Sequence, residues 1–494
     1  MRVALILACA FLITGCTGPE KPDSVAPRYD RLAPCKRPPD ALVGQIYDES
    51  LCGTVSVFED RSRRDGRKID LNVMLIRAID TVPDPDPIFF LDGGPGQAAT
   101  SDGPALFAQL DVLRKRRDIV LVDQRGTGKS NSLACELPEP EDAYFGSTLD
   151  EITRLQVSTL KDCLKRYDAN PALYTTPVAM DDLDEVREYL GYEKINLYGV
   201  SYGTRAALVY LRRHPGHVRS VVLDSVVPLD MSIPAHVAID AQAAFDRMLA
   251  DCRNQSPCNT AFPDLADEFA MLRKRLELAP EKVEVRHPVT GKRISGIIGP
   301  NILSRLIRGV LYERRLASLL PVAIHEAYEH NYEPIVAMSF TLSPEGSGMS
   351  IGLMASVLCS EDMRLITEPG DTSDFDNAIY NTLAPICEFW PKGTIPDDYF
   401  QPVPSGLPGL LLSGTLDPIT PPRYGEMASR TLSNARHIIV AGVGHFVSIE
   451  GCVRNVIGDF IDSADPAGVD ASCTGDIQRP LFFTNLSGTG FPDD

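Results

Sequence analysis

The chain has 494 residues, 44% of them hydrophobic, with 48 Lys and Arg set against 67 Asp and Glu. That length allows a large core and two or three structural units. A formal net charge of −19 argues against a polyanionic partner, so nucleic acid is excluded as a ligand.

The N-terminus reads as an export signal rather than part of the fold. Arg2 precedes an apolar run over 3–13, and Thr14-Gly15-Cys16 follows. Small residues before a cysteine resemble the cleavage box of bacterial lipoproteins. The resemblance implies a signal peptide over 1–15, a lipid on Cys16 and attachment to a membrane through that N-terminal anchor. Thr17 in place of Asp implies sorting to the outer membrane, facing the periplasm, in a Gram-negative cell envelope. No later segment approaches the ~20 apolar residues of a membrane-spanning helix. Residues 16–40 are rich in Pro, Asp and Ser and read as a tether.

Export makes the remaining ten cysteines legible. They fall into sequence neighbours: Cys35 with Cys52, Cys135 with Cys163, Cys252 with Cys258, Cys359 with Cys387, and Cys452 with Cys473. Five local disulfides are expected in an oxidising compartment. The cysteines and histidines lack metal-ligand spacing: neither C-x-x-C nor H-E-x-x-H occurs.

In chain order, strands are expected at 53–57, 69–76 and 88–91, the last running into Asp92-Gly93-Gly94-Pro95-Gly96. A glycine-rich loop at a strand's end lets backbone N–H groups approach a ligand closely. The next strand, 118–122, ends in Asp123-Gln124-Arg125-Gly126-Thr127-Gly128-Lys129-Ser130. Its Gly-Lys-Ser tail suggests a phosphate loop, but the motif's first glycine would fall on Asp123, so nucleotide binding is rejected. A helix over 180–190 leads to a strand at 195–198 and then to Gly199-Val200-Ser201-Tyr202-Gly203. Another buried strand follows at 218–223.

Strand–helix alternation over 41–228 argues for a mainly parallel α/β sheet flanked by helices. From 229 to 404 the rhythm changes to long amphipathic stretches, at 264–278, 302–312 and 317–328. A small hairpin turns at Thr290-Gly291. This reads as an inserted, mostly helical cap over the site. The sheet resumes over 405–475, with strands at 409–414 and 437–441 and a last helix at 452–461. Residues 476–494 form a tail without periodicity.

Strand, sharp turn and helix around Ser201 read as the nucleophile elbow of an α/β-hydrolase fold. A serine hydroxyl needs a base within reach, and the base needs a carboxylate to fix its tautomer. Ser201, Asp417 and His445 occur in the chain order of that fold, each at a strand's end. Asp224 also ends a strand and is a second candidate for the acid. The oxyanion donors would be the N–H of Tyr202 and one from Gly93 or Gly94. No cofactor is needed. His437 reads as a core or sheet-face residue, and His214, His217, His325 and His330 read as solvated.

GGPG, DQRGTGKS, GVSYGT, GTLDPITPP and GVGHF, in this order, resemble the proline-iminopeptidase family of serine aminopeptidases. The nearer likeness is to its secreted tripeptidyl-aminopeptidase-like branch. ASVLCSED over 355–362 and CEFWP over 387–391 resemble that branch's cap motifs. The resemblance implies peptide substrates cleaved from a free N-terminus through an acyl-enzyme. An acceptor for the substrate α-ammonium is then required, and Glu361 and Asp362 are the candidates. An esterase or amidase of small acyl compounds with the same triad is the alternative. One departure stands out. The family places His before GGPG, and this chain has Asp92, whose charge would oppose an oxyanion unless it pairs with a cation such as Arg125.

Overall fold

The computed structural model describes residues 29–39, 43–63, 65–135, 148–288, 290–342, 348–366, 374–375 and 377–489. The expected signal peptide, Cys16 and most of the tether lie outside the described residues. No helix among the described residues is long and apolar enough to cross a membrane.

Nine strands form one sheet: β1 (Ala33–Pro34), β2 (Ser50–Phe58), β3 (Lys68–Ile76), β4 (Ile88–Leu91), β5 (Ile119–Val122), β6 (Ile195–Val200), β7 (Val218–Asp224), β10 (Gly409–Gly414) and β11 (Ala435–Val440). Their order is β1-β2-β3-β5-β4-β6-β7-β10-β11. The first three strands pair antiparallel, as do β3 and β5, and the remainder are parallel. The central strands β4, β5 and β6 are short apolar runs buried on both faces, as parallel strands covered by helices require. One face packs under helices Thr176–Leu190 and Tyr202–Arg213, the other under Ala99–Gln109 and Val453–Ser463.

Between β7 and β10 the chain is mostly helical and builds its own apolar core, including Phe245, Phe269, Leu303 and Ile324. The hairpin appears here as β8 (Glu281–Arg286) and β9 (Arg293–Ile298), antiparallel, with Gly291 at positive φ. The helix expected over 317–328 divides into Arg314–Ala317 and Leu320–Tyr328. Pro321 explains the break: it lacks an N–H and suits only a helix's first turn. The helix expected from 180 begins at Thr176 because Pro177 occupies that same permitted position.

The ten cysteines are bonded as Cys35–Cys52, Cys135–Cys163, Cys252–Cys258, Cys359–Cys387 and Cys452–Cys473. Five such bonds mark an extracytoplasmic, oxidising compartment. Within the aperiodic tail, residues 477–483 form a strap. It leaves the Cys452–Cys473 loop and crosses to the helical insertion, where Phe482 is buried in the insertion's own core. Arg479 pairs with Asp251 at 2.6 Å, and the Phe483 N–H donates to the Ser318 carbonyl.

The elbow is pressed tightly against the sheet. A Cβ on Gly203 would stand 1.9 Å from the Leu91 carbonyl oxygen, and one on Gly199 would stand 2.4 Å from that of Gly203. Both neighbours are backbone and cannot swing aside. Gly203→Ala is therefore expected to lose more than the ~1–3 kcal/mol typical of overpacking, read as folded yield and melting temperature. Gly216→Ala, whose Cβ would meet nothing within 4 Å, is the matched control and should be near neutral.

Candidate active site

Ser201 sits between β6 and the helix Tyr202–Arg213 with φ 56° and ψ −126°. A non-glycine residue held there stores about 1–3 kcal/mol of strain, which persists only where the surroundings over-determine it. Part of that determination is visible. The Ser201 N–H donates to the Asp224 carbonyl at 2.9 Å. A Cβ on Gly93 would lie 3.3 Å from Ser201 Cβ, so the glycine-rich loop lies directly against the serine.

His445 and Asp417 come together at the ends of neighbouring strands. His445 Nδ1 lies 2.8 Å from Asp417 Oδ2, with both side chains sealed from solvent. The other carboxylate oxygen accepts the N–H groups of Ile419 and Thr420, and the Thr420 hydroxyl donates to Oδ2 at 2.7 Å. With Nδ1–H committed to Asp417, the tautomer follows and Nε2 is the basic nitrogen. Burial opposes protonation of His445, but the Asp417 carboxylate outweighs it and raises the imidazole above its ordinary value. Asp417, likewise penalised by burial, is held below the ordinary carboxylate range by His445 and its N–H donors.

Asp224, the alternative acid, takes a different place. Its carboxylate accepts from the N–H groups of Val447 and Ser448 and from the Ser448 hydroxyl. It therefore shapes the loop that carries His445, while Asp417 holds the imidazole. Among the described residues Ser201 Oγ makes no hydrogen bond to His445. The two are connected through Asp224, whose backbone holds one loop and whose side chain holds the other. Such bonds often close only with substrate present.

Two residues that sequence patterning did not single out complete the arrangement. The Thr420 hydroxyl bridges Asp417 and His445 Nδ1, the latter at 3.3 Å. Its spacing of three from Asp417 is the one available sequence signal, since a short polar side chain there folds back on the turn. Tyr312, at the end of helix Pro300–Leu311, accepts the His445 N–H on its carbonyl and sets its ring edge-on to the imidazole, centroids 5.2 Å apart. The helical insertion thus touches the base directly.

Of the oxyanion candidates, the Gly93 N–H is taken by the Asp92 carboxyl at 2.7 Å. Among the described residues no acceptor is found for the Gly94 or Tyr202 N–H. Asp92 does not pair with Arg125, the cation that the sequence offered as a possible partner. Arg125 is fully buried, bonds Asp182 through Nε and Nη2, and donates to the carbonyls of Phe58, Glu59 and Leu173.

Glu361 and Asp362, the expected acceptors of an ammonium, are both already engaged by the protein. Both are fully buried. Asp362 pairs with Arg205 at 2.7 Å and accepts the Ile233 N–H. Glu361 accepts the Thr176 N–H and hydroxyl and the Tyr399 hydroxyl. Neither carboxylate has an oxygen to spare. Sequence patterning could not anticipate this, because the partners lie 129 to 185 positions away for the bonds from Ile233 and Thr176.

His437 bonds the Ser413 hydroxyl on the sheet face. The four histidines read as solvated instead face carboxylates: His214 meets Asp181, His217 meets Asp184, His325 meets Glu268 and His330 meets Glu281. Asp184, His214 and His217 are close enough together to share a metal ion. Arg187 already balances the Asp184 charge, however, and the Tyr210 hydroxyl also bonds it.

The α/β hydrolase fold family matches this chain over residues 86–451, and the chain belongs to it. A tripeptidyl aminopeptidase of Streptomyces lividans is 29% identical over 277 residues, covering 53% of this chain and 50% of that protein. The chain thus spans about half the length of that relative. Serine protease Hip1 of Mycobacterium tuberculosis is 24% identical over 470 residues, 87% of this chain and 88% of that protein. A proline iminopeptidase of Neisseria gonorrhoeae is 31% identical over 144 residues, 29% and 34% respectively. The chain is an α/β-fold serine hydrolase, distantly related to aminopeptidases and serine proteases.

The two acids should separate cleanly by mutation. Asp417→Asn is expected to slow phosphonylation of Ser201 by a fluorophosphonate by about 10⁴-fold, as removal of a base-orienting carboxylate does. Asp224→Asn should slow it far less while lowering the melting temperature, because a carboxamide cannot accept from every donor there. Equal rate losses in the two variants would contradict this division.

Proposed function

We propose that this α/β hydrolase is a serine peptidase of the cell envelope, lipid-anchored through Cys16, that removes residues or short peptides from the free N-terminus of peptides. The carrying observation is the His445–Asp417 pair, sealed beside a strained Ser201 and touched by the helical cap. Ser201 Oγ attacks the substrate carbonyl as His445 Nε2 takes its proton. The Tyr202 and Gly94 N–H groups receive the oxyanion. His445 then returns the proton to the leaving amine, and water attacks the acyl-enzyme by the same route in reverse. The peptidase reading draws its support from the tripeptidyl aminopeptidase, Hip1 and proline iminopeptidase relatives. The net charge of −19 also favours a cationic peptide terminus over an anionic one.

The test is hydrolysis of chromogenic peptides with free and acetylated N-termini, beside short p-nitrophenyl esters, with Ser201→Ala as control. Cleavage confined to free-amine peptides and abolished in the control is expected. Equal cleavage of blocked peptides, or turnover of esters alone, would replace the aminopeptidase with an esterase or amidase. On its acid side, kcat/KM should rise with pH as His445 loses its proton. Because that pKa is raised, the rise should be centred above the ordinary histidine value of ~6.5.

A further inference from the structure

Behind the donor loop lie three carboxyl groups that, among the described residues, pair with no cation. Asp123, at the exit of β5, is saturated by neutral donors: the Asn72 amide, the Thr100 N–H and hydroxyl, and the Lys129 N–H. Asp102, on helix Ala99–Gln109, receives the Gln97 amide. Asp92 is 6% exposed, and its Oδ1 accepts the Gly93 N–H. Its Oδ2 is completely buried and meets no donor from the protein. The Asp102 carboxyl lies near enough for its charge to bear on Asp92. Arg125, the counter-ion named from the sequence, is committed to Asp182.

An ionised Asp92 would leave a dry carboxylate oxygen without a donor and set two like charges against each other. One proton on Oδ2 resolves both difficulties: it becomes the donor to Asp102, while Oδ1 keeps the Gly93 N–H. Burial first, and then the Asp102 charge, push the Asp92 acid up to about 7, with the Gly93 N–H pulling the other way and Asp123 adding to the rise. Asp102 is itself raised, chiefly by burial.

We propose that Asp92 works as a neutral carboxylic acid, a positioning residue that shares its proton with Asp102, and that its ionisation sets the alkaline limit of the enzyme's activity. In the neutral form it fixes the Gly93–Gly94 turn against Ser201 without placing charge beside the oxyanion. Once ionised, it puts a full negative charge two residues from the Gly94 donor, where the transition state also gathers negative charge. The proposal rests on the reading of Ser201 as nucleophile but not on the substrate class.

The experiment follows the rate of fluorophosphonate labelling of the full-length protein from about pH 5 to about pH 10, a readout independent of substrate class. Wild-type labelling should fall above neutrality. Asp92→Asn, which keeps the acceptor for Gly93 but cannot ionise, should move that fall upward by at least about one pH unit. Asp102→Asn, which removes the repelling charge, should move it downward. Opposite shifts are the signature; a merely structural role would lower both rates without changing the profile's shape. A second measurement stands apart from activity. At neutral pH the infrared spectrum of the wild type should show a protonated-carboxyl stretch that Asp92→Asn lacks. Unchanged profiles in both variants, or no difference in that band, overturn the proposal. If the wild type takes no label while the band is present, the nucleophile reading fails and the neutral Asp92 stands.

Discussion

Asp224 fixes the geometry of the site. Its backbone carbonyl holds the Ser201 N–H, and its carboxylate holds the N–H groups of Val447 and Ser448. The loops it joins are more than 220 positions apart in sequence. A buried carboxylate is tolerated there because donors surround it, and each bond to a charged acceptor is stronger than a neutral one. The strain at Ser201 and the placement of His445 are therefore not independent features. A shift at either loop is transmitted through one residue to the other.

The elements that carry chemistry through local sequence were legible. A glycine on each side of Ser201 announced a turn that admits no Cβ, and the closeness of Leu91 and Gly203 shows why. The loops after β10 and β11 put Asp417 and His445 where chain order implied. What escaped was long-range. Glu361 and Asp362 were read as candidate acceptors of a substrate ammonium, yet their partners are Thr176, Tyr399 and Arg205, which no local pattern associates with them. Arg125 was named as a possible cation for Asp92 but is committed to Asp182. Tyr312 gave no signal at all, because its role depends on how the cap happens to cross the histidine loop.

The two buried acids Glu361 and Asp362 have a structural role. Arg205 belongs to the helix that begins at Ser201, and Asp362 follows the helix Ile351–Ser360. Their ion pair, with neither side chain more than 1% exposed, fastens the elbow helix to the segment above it. Breaking such a pair by removing one partner typically costs 3–5 kcal/mol. Glu361 does the same through Thr176 on a second helix. Two adjacent carboxylates thus secure the floor of the site from above, and the Cys359–Cys387 bond secures the segment that bears them.

The strap over 477–483 ties the end of the hydrolase fold to a unit far upstream. Its partners Asp251 and Gln255 lie 228 and 227 positions earlier in the chain, and Phe482 is sunk into the insertion's own interior. Removing the strap would therefore open an apolar hole in the insertion, so the insertion's core is complete only once the last part of the chain has been laid across it.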